Sequence, residues 1–141
     1  MFQAYLPLIE DRPWRGHGLG SFNRLNDAQI SLQNAALTEQ MGAAHNVVLQ
    51  WLLQQGIIGL SVMCAAVLWI LVTIARALRR AQGSDASMLL MVLCMSGLFL
   101  GHGMVDFALE IPAAMWFFSF WLGLATGRAH RLNSRTRAPT A

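Results

Sequence analysis

The sequence has few charged residues. Only 12% of its 141 residues are Asp, Glu, Lys or Arg, whereas 55% are hydrophobic. A soluble domain carries roughly 25% charged residues, so this composition argues against an ordinary soluble domain. Lysine is missing altogether, and all ten basic residues are arginine. We attribute this to a bias toward GC-rich codons and infer no function from it.

Cysteine is also scarce. Cys64 and Cys94 both lie within apolar segments, where free cysteines behave as small hydrophobic side chains. The sequence therefore predicts neither a disulfide framework nor a metal site, and we expect no cofactor.

Long apolar blocks are what the sequence does contain. Residues 57–75, 88–105 and 111–126 carry no charge. About 20 residues at a rise of 1.5 Å cross a hydrocarbon core of ~30 Å, and the first two blocks meet that length. The third meets it if it begins at Leu109. We therefore predict three transmembrane helices.

The distribution of charge predicts the orientation. Arg76, Arg79 and Arg80 follow the first block and four more arginines follow the third, whereas Asp106 and Glu110 lie between the second and third. By the positive-inside rule, the arginine-rich loop and the C-terminal tail are cytoplasmic. The segment before the first block then faces the periplasm. Because topology accounts for the basic tail, we expect no nucleic-acid partner.

These patterns predict an all-α integral membrane protein with three parts. Residues 1–55 form a periplasmic loop segment with short helices. Residues 56–127 form a region of three transmembrane helices. Residues 128–141 form a disordered basic cytoplasmic tail. Membrane lipids are the expected surroundings.

Helix-ending and helix-capping residues predict the local structure of the first part. Residues 1–11 form a short helix that ends before Pro13, because proline restricts the residue preceding it. Asn46 can cap a helix that begins at Val47. Gly56 and Gly59 allow a bend where this helix joins the first span.

A loop with three glycines and two arginines follows the first helix. Gly16, Gly18 and Gly20 leave backbone N–H groups beside the charges of Arg12 and Arg15, and such a loop can bind an anion. The glycine spacing is not that of a dinucleotide fingerprint, and no strand is predicted before it. The alternative, a glycine turn that packs against the membrane face, stays open.

Three of the four histidines have ordinary interpretations. His130 lies in the basic tail, where we expect it to be solvated. His102 lies one turn inside the outer end of the second span, with Asp106 on the same helical face. A polar group there needs a partner, so we predict a structural His102–Asp106 pair. His17 is either an exposed loop residue or a substrate contact.

His45 differs because it precedes a helix start at the membrane boundary. The partial positive charge of a helix N-terminus disfavours the imidazolium form. A neutral imidazole can accept a proton from an attacking hydroxyl. On spacing alone, a capping or packing role is the better interpretation of His45.

Three groups of residues follow one another along the chain. The first comprises Pro13, Gly16, Gly18, Gly20 and Phe22, the second comprises His45, Asn46, Leu49, Gln54, Gly56, Gly59 and Leu60, and the third comprises His102, Asp106, Phe107, Leu109, Pro112, Leu122, Gly123 and Leu124. In order, spacing and membrane context, these groups resemble the C-terminal signature of the O-antigen ligase/polymerase superfamily. The resemblance covers roughly residues 4–127.

The resemblance implies a polytopic glycosyltransferase of the bacterial inner membrane. Such enzymes move glycan from an undecaprenyl-diphosphate donor to a lipid A-core sugar, another glycan or a protein side chain. It implies that His45 is catalytic, activating the acceptor hydroxyl or orienting the donor. It also implies that Arg12 and Arg15 contact the diphosphate, which a guanidinium binds bidentately. His17 and Asn46 are further substrate-binding candidates, and the reaction needs no metal.

Two features depart from that family. Its members have many more spans than three, so we expect this chain to be a C-terminal portion that needs further upstream spans as partners. Gln54 stands where the family often has glutamate, which removes one acidic partner. The alternative is a small non-catalytic membrane protein, either a degenerate remnant or an accessory subunit.

Overall fold

The computed structural model describes residues 2–29, 42–106 and 111–135. Within these ranges the chain forms five α-helices and no strand, which confirms the all-α class. The helices are α1 (Phe2–Asp11), α2 (Phe22–Gln29), α3 (Val47–Leu78), α4 (Gly83–His102) and α5 (Pro112–Arg135). The predicted short helix before Pro13 corresponds to α1.

The chain divides into two compact units. Unit 1 comprises Met1–Cys64 with Gly103–Phe107, and unit 2 comprises Ala65–His102 with Ala108–Ala141. Helix α3 therefore contributes to both units. The membrane boundaries predicted at residues 55 and 127 stay predictions.

A small buried core holds α1, α2 and the start of α3 together in unit 1. The rings of Tyr5 and Phe22 lie 5.5 Å apart, and the Tyr5 hydroxyl donates a hydrogen bond to Asn26 Oδ1 at 2.6 Å. Burial raises the pKa of Tyr5 above its ordinary value. This packing fixes both ends of the loop that joins α1 to α2. The buried core residues are Tyr5, Phe22, Ala44, Leu49 and Leu53.

Helix α3 is interrupted at Gly56, as the sequence predicts. The backbone there has φ 65° and ψ −169°, which is not helical. Residues 57–78 continue as a helix about 33 Å long at 1.5 Å per residue. That length is sufficient to cross a hydrocarbon core.

Two helices are long and apolar enough to cross a membrane. They are α3, in which an 18-residue window has a mean hydropathy of 2.6, and α4, in which such a window has 1.6. Only 11% and 17% of their apolar windows are buried, unlike the core helices of soluble proteins, which bury their apolar surface. The two helices therefore indicate a membrane protein. Helix α5 is not among the candidate spans in the described ranges, so the third span stays a prediction.

The core of unit 2 is formed by all three long helices. Small residues such as Ala77 and Ala125 allow the helices to approach one another closely. Phe99 of α4 stacks on Phe118 of α5 with the ring centroids 5.0 Å apart. The buried residues are Ile74, Ala77, Leu89, Val92, Ala125 and Ala129.

The tail predicted to be disordered from residue 128 is instead helical as far as Arg135. Ala129 is fully buried in the core of unit 2, and Leu132 packs against that core. Arg128 donates hydrogen bonds of 2.8 and 2.7 Å to the carboxylate of Asp85. The prediction of disorder is wrong here because apolar residues at helical spacing pack between the arginines. Residues 136–141 of the predicted tail lie outside the described residues.

Candidate functional site

The glycine loop crosses α3 where that helix is interrupted. A Cβ atom added to Gly16 would lie 2.6 Å from the backbone carbonyl carbon of Gln54. One added to Gly56 would lie 2.4 Å from the carbonyl carbon of Trp14. Both glycines also have positive φ angles, 64° and 65°. The two backbones touch at this crossing, and only glycine fits at either position.

Backbone hydrogen bonds run from the loop to the last turn before the interruption. The N–H of His17 donates to the Leu53 carbonyl oxygen at 2.8 Å, and the N–H of Gly18 donates to that of Gln54 at 2.9 Å. Both N–H groups therefore donate to carbonyl oxygens of α3. An anion cradle cannot use the same two N–H groups. The loop packs on α3, and its packing against the membrane face stays a prediction.

A second pair of hydrogen bonds runs from α3 to the loop. Beyond the interruption, the N–H groups of Ile57 and Ile58 donate to the carbonyl oxygens of Pro13 and Trp14 at 2.8 and 3.2 Å. A break in a helix leaves N–H and C=O groups without helical partners, and buried backbone groups need replacements. The loop supplies them, so the loop and the break depend on each other.

The two predicted diphosphate ligands lie on this loop. Arg12 and Arg15 line one open depression of about 410 Å³ together with Trp14. Both arginines are exposed, and Arg12 Nε lies 3.6 Å from Asp11 Oδ2. The structure therefore brings both guanidinium groups to one surface, where they can reach an anionic ligand.

His17 attaches the loop to α1. Its Nε2 atom lies 2.8 Å from the carbonyl oxygen of Leu8, and because a carbonyl only accepts, Nε2 carries the proton. The ring is half-buried. This contact is structural, and a contact between His17 and substrate stays a prediction.

His45 lies two residues before α3 begins, with its Nδ1 atom 3.2 Å from Asp106 Oδ1. The two side chains are 35% and 40% exposed. The backbone of His45 is left-handed, with φ 49°. In a residue other than glycine this conformation costs about 1–3 kcal/mol, and such strain is concentrated at functional sites. The structure thus places a strained histidine and a carboxylate at a partly exposed helix start.

Asn46 caps α3, as predicted. Its Oδ1 atom accepts a hydrogen bond from the Leu49 N–H at 2.9 Å, which is the usual N-cap contact. Its Nδ2 atom donates to the Met104 carbonyl oxygen at 2.7 Å. Because the protein uses both ends of the amide, we assign Asn46 a positioning role. Contact between Asn46 and substrate stays a prediction.

The segment after α4 brings Asp106 to the start of α3. The Val47 N–H donates to the Gly103 carbonyl oxygen at 2.7 Å, next to the bond from Asn46. Residues 45 and 106 are 61 positions apart, and the sequence analysis paired Asp106 with His102 instead. The pairing of His102 with Asp106 stays a prediction, whereas the contact with His45 is the one that sequence reasoning missed. The sequence offered one indication of this contact, since His45 and Asp106 were both predicted on the same side of the membrane.

A buried polar stripe runs along α3 between the histidine and the loop crossing. Asn46, Gln50 and Gln54 are four positions apart and only 9%, 3% and 8% exposed. Gln50 Oε1 accepts a hydrogen bond from the Ala44 N–H at 2.8 Å, which fixes the turn before His45. The helix rises about 12 Å from residue 46 to residue 54. The stripe thus connects the two candidate regions within unit 1.

No group of three or more potential metal ligands (His, Cys, Asp or Glu) occurs within the described ranges.

Comparison with known proteins supports the resemblance over the first part of the chain. No curated protein matches the sequence. Residues 1–64 match the family model described as O-antigen ligase. The matched segment contains the glycine loop, His45, Asn46 and the Gly56 crossing, while the resemblance of the later groups stays a prediction. Apart from Asp106 and the backbone segment that carries it, the site lies in the part of the chain that is similar to the O-antigen ligase family.

Proposed function

We propose that this chain carries the catalytic base of an O-antigen ligase-like glycosyltransferase. The donor is a glycan linked to undecaprenyl diphosphate, and the acceptor is a hydroxyl of lipid A-core, of another glycan or of a protein. The observation that carries the proposal is the contact of His45 with Asp106 at the start of a candidate membrane-spanning helix. The family match over residues 1–64 supports the reaction class.

In the proposed reaction, His45 acts as general base. The Asp106 carboxylate accepts a hydrogen bond from Nδ1–H, which fixes the tautomer in which Nε2 can accept a proton. Nε2 takes the proton of the acceptor hydroxyl while the acceptor oxygen bonds to the anomeric carbon of the donor sugar. The bond from that carbon to the diphosphate oxygen breaks, and its electron pair leaves with undecaprenyl diphosphate. The carboxylate stabilises the imidazolium that forms.

Arg12 and Arg15 form a separable part of the proposal. Their depression offers two exposed guanidinium groups to the diphosphate, whose charge grows as the bond breaks. Gly56, where their loop crosses α3, lies about 15 Å along the helix from Asn46. To contact a donor bound near His45, the arginine side chains must therefore extend along the polar stripe toward Asn46. Their role is tested independently of the role of His45.

The proposal includes a membrane setting. The protein lies in the bacterial inner membrane, α5 is the third span, residues 1–55 are periplasmic and the C-terminus is cytoplasmic. The exposed apolar faces of α3 and α4 support this setting, and so does the concentration of arginines at one end of the helices. Three helices are too few to surround a long lipid diphosphate. We therefore propose that further membrane spans surround the donor.

The test is substitution at the chromosomal locus, so that the native gene product carries the change. We expect His45→Ala and Asp106→Asn to lower glycan transfer to the cell surface by about 10²-fold or more, the usual contribution of general base catalysis. Surface glycan is measured by gel electrophoresis, and the protein in the membrane fraction by immunoblot. Asp27→Asn, a matched change at an exposed carboxylate of α2, should leave transfer unchanged.

Each result separates the parts of the proposal. Normal transfer by His45→Ala, at normal protein levels, would show that His45 is not the base. A weaker apparent affinity for donor in Arg12→Gln with Arg15→Gln would support the arginine role, and unchanged affinity would remove it. If deletion of the whole gene leaves surface glycan unchanged, the chain is a non-catalytic remnant or accessory protein.

A further inference from the structure

A second polar site lies in unit 2, at the arginine-rich end of the long helices. A groove of about 460 Å³ separates α3 from α5, within the size range of roughly 300–1,000 Å³ that is usual for small-ligand sites. The residues from α3 lie on one helical face because they are spaced by three and four positions. The lining residues that matter here are Trp69, Thr73 and Arg76 of α3, Arg80 in the turn directly after it, and His130 and Asn133 of α5.

Contacts across the groove fix its shape. Arg80 donates a hydrogen bond to Asn133 Oδ1 at 3.3 Å, and Asn133 Nδ2 donates to the Thr73 carbonyl oxygen at 3.5 Å. The rings of Trp69 and His130 lie 5.8 Å apart. His130 therefore contributes to this groove, although the sequence assigned it to a solvated tail.

The groove is positively charged. Arg76 and Arg80 are four positions apart in the sequence, and no carboxylate is found among the described residues that line the groove. Two guanidinium groups beside amide and imidazole donors match the oxygens of a phosphate.

In the membrane setting proposed above, on which this inference rests, the groove lies at the depth of lipid headgroups. Residues 57–75 carry no charge, and Arg76 is the first charged residue after them. Trp69, 59% exposed, lies about 10 Å before Arg76 along the helix. Tryptophan is enriched at the membrane–water boundary, and basic pockets between transmembrane helices bind anionic headgroups.

We propose that this groove binds the phosphate of an anionic phospholipid, with Arg76 and Arg80 on the phosphate oxygens. The apolar side chains of Leu68 and Trp69, 63% and 59% exposed, precede the arginines on α3 and can contact the acyl chains. A soluble phosphate would leave these side chains uncovered. The site is separate from His45 and does not depend on the proposed glycan transfer.

The test is lipid retention by the full 141-residue chain. The protein is placed in nanodiscs of equal parts phosphatidylglycerol and phosphatidylcholine, and native mass spectrometry measures which lipid stays bound on release. We expect selective retention of phosphatidylglycerol, lowered about tenfold or more by Arg76→Gln, because this variant loses a charge-assisted hydrogen bond to the phosphate. If the Arg76→Gln protein cannot be recovered from membranes, lipid retention is measured with Arg80→Gln instead, and the same loss is expected.

Arg79→Gln is the matched control, because Arg79 is exposed in the turn after α3, next to Arg80, but does not line the groove. It should lower retention less than twofold. Equal losses from Arg76→Gln and Arg79→Gln would overturn the proposal in favour of diffuse surface charge. Displacement of phosphatidylglycerol by millimolar glycerol 3-phosphate would overturn it in favour of a soluble phosphate ligand. No selectivity between the two lipids would overturn it outright.

Discussion

The two units of this protein are stabilised by different kinds of contact. In unit 1, backbones touch at Gly16 and Gly56, and the amide of Asn46 ties the start of α3 to Met104. In unit 2, three helices pack through small and apolar side chains, with Ala77 and Ala125 fully buried. Unit 1 therefore depends on the identity of single residues, whereas unit 2 depends on a pattern that many apolar residues satisfy.

This difference bears on function. A catalytic group must be held in a defined position by its surroundings, and the contacts of unit 1 hold His45, the proposed base, in this way. The packing of unit 2 leaves apolar faces for lipid and a basic groove at one end. Pairs of substitutions, most with one member in each unit, test whether unit 1 depends more on single residues than unit 2 does.

The largest expected effect is at the crossing of the two backbones. Gly56→Ala places a Cβ within 2.4 Å of the Trp14 backbone at a positive φ angle. The left-handed conformation costs about 1–2 kcal/mol, and forcing rigid backbones apart costs about 1–3 kcal/mol. We expect the free energy of unfolding to fall by about 3 kcal/mol, as measured by circular dichroism during SDS titration in mixed micelles.

Gly123→Ala in α5 is the control for that change. An added Cβ meets nothing within 4 Å, and alanine is favoured over glycine in a helix by up to about 1 kcal/mol. Stability should stay the same or rise. Similar losses of stability from Gly56→Ala and Gly123→Ala would mean that unit 1 is no more sensitive to the identity of a single glycine than unit 2.

A smaller effect is expected at the helix cap. Asn46→Ala removes the acceptor for the Leu49 N–H and the donor to the Met104 carbonyl. Each contact contributes about 1 kcal/mol, so we expect a total loss of about 2 kcal/mol in the same measurement. Transfer should also fall, because the segment that carries Asp106 loses one of its attachments to the start of α3.

Asn46→Ser separates the two contacts. Serine caps a helix about as well as asparagine, but its side chain is too short to reach Met104. It should lose about half as much stability as Asn46→Ala, roughly 1 kcal/mol. If the serine and alanine variants are equally stable, the cap contributes nothing measurable.

The smallest effect is expected at the ion pair of unit 2. Hydrogen bonding to Asp85 raises the pKa of Arg128 above its ordinary value, but the guanidinium is exposed to solvent, where such pairs contribute little. Arg128→Gln should lower the melting temperature slightly at low salt. The difference should disappear near 1 M salt, where the screening length is about 3 Å.

Arg131→Gln is the comparison for the ion pair. Arg131 is exposed on the same helix, and its guanidinium has no acidic partner among the described residues. Its melting temperature should match that of the parent protein at every salt concentration. A loss as large as that of Arg128→Gln would show that the helix, rather than the pair, responds to the lost charge.

Much of the local structure could be predicted from neighbouring residues. The cap at Asn46, the bend at Gly56 and the helix before Pro13 follow from conformational preferences that act over a few residues. Disorder was predicted wrongly for residues 128–135, because this segment contains few apolar residues. Two of them, Ala129 and Leu132, lie among arginines. Their burial depends on the surfaces of α3 and α4, which a local pattern does not contain.

The sequence by itself determined that the chain is helical and apolar, and it showed the resemblance to O-antigen ligases. The first two properties are set by composition, periodicity and short-range spacing. Only the tertiary structure decided that the glycine loop inserts its backbone at the break in α3 and that Asp106 meets His45. Both facts join residues far apart in sequence, and hydrogen bonds between such residues form only when the whole backbone brings the partners within about 3 Å.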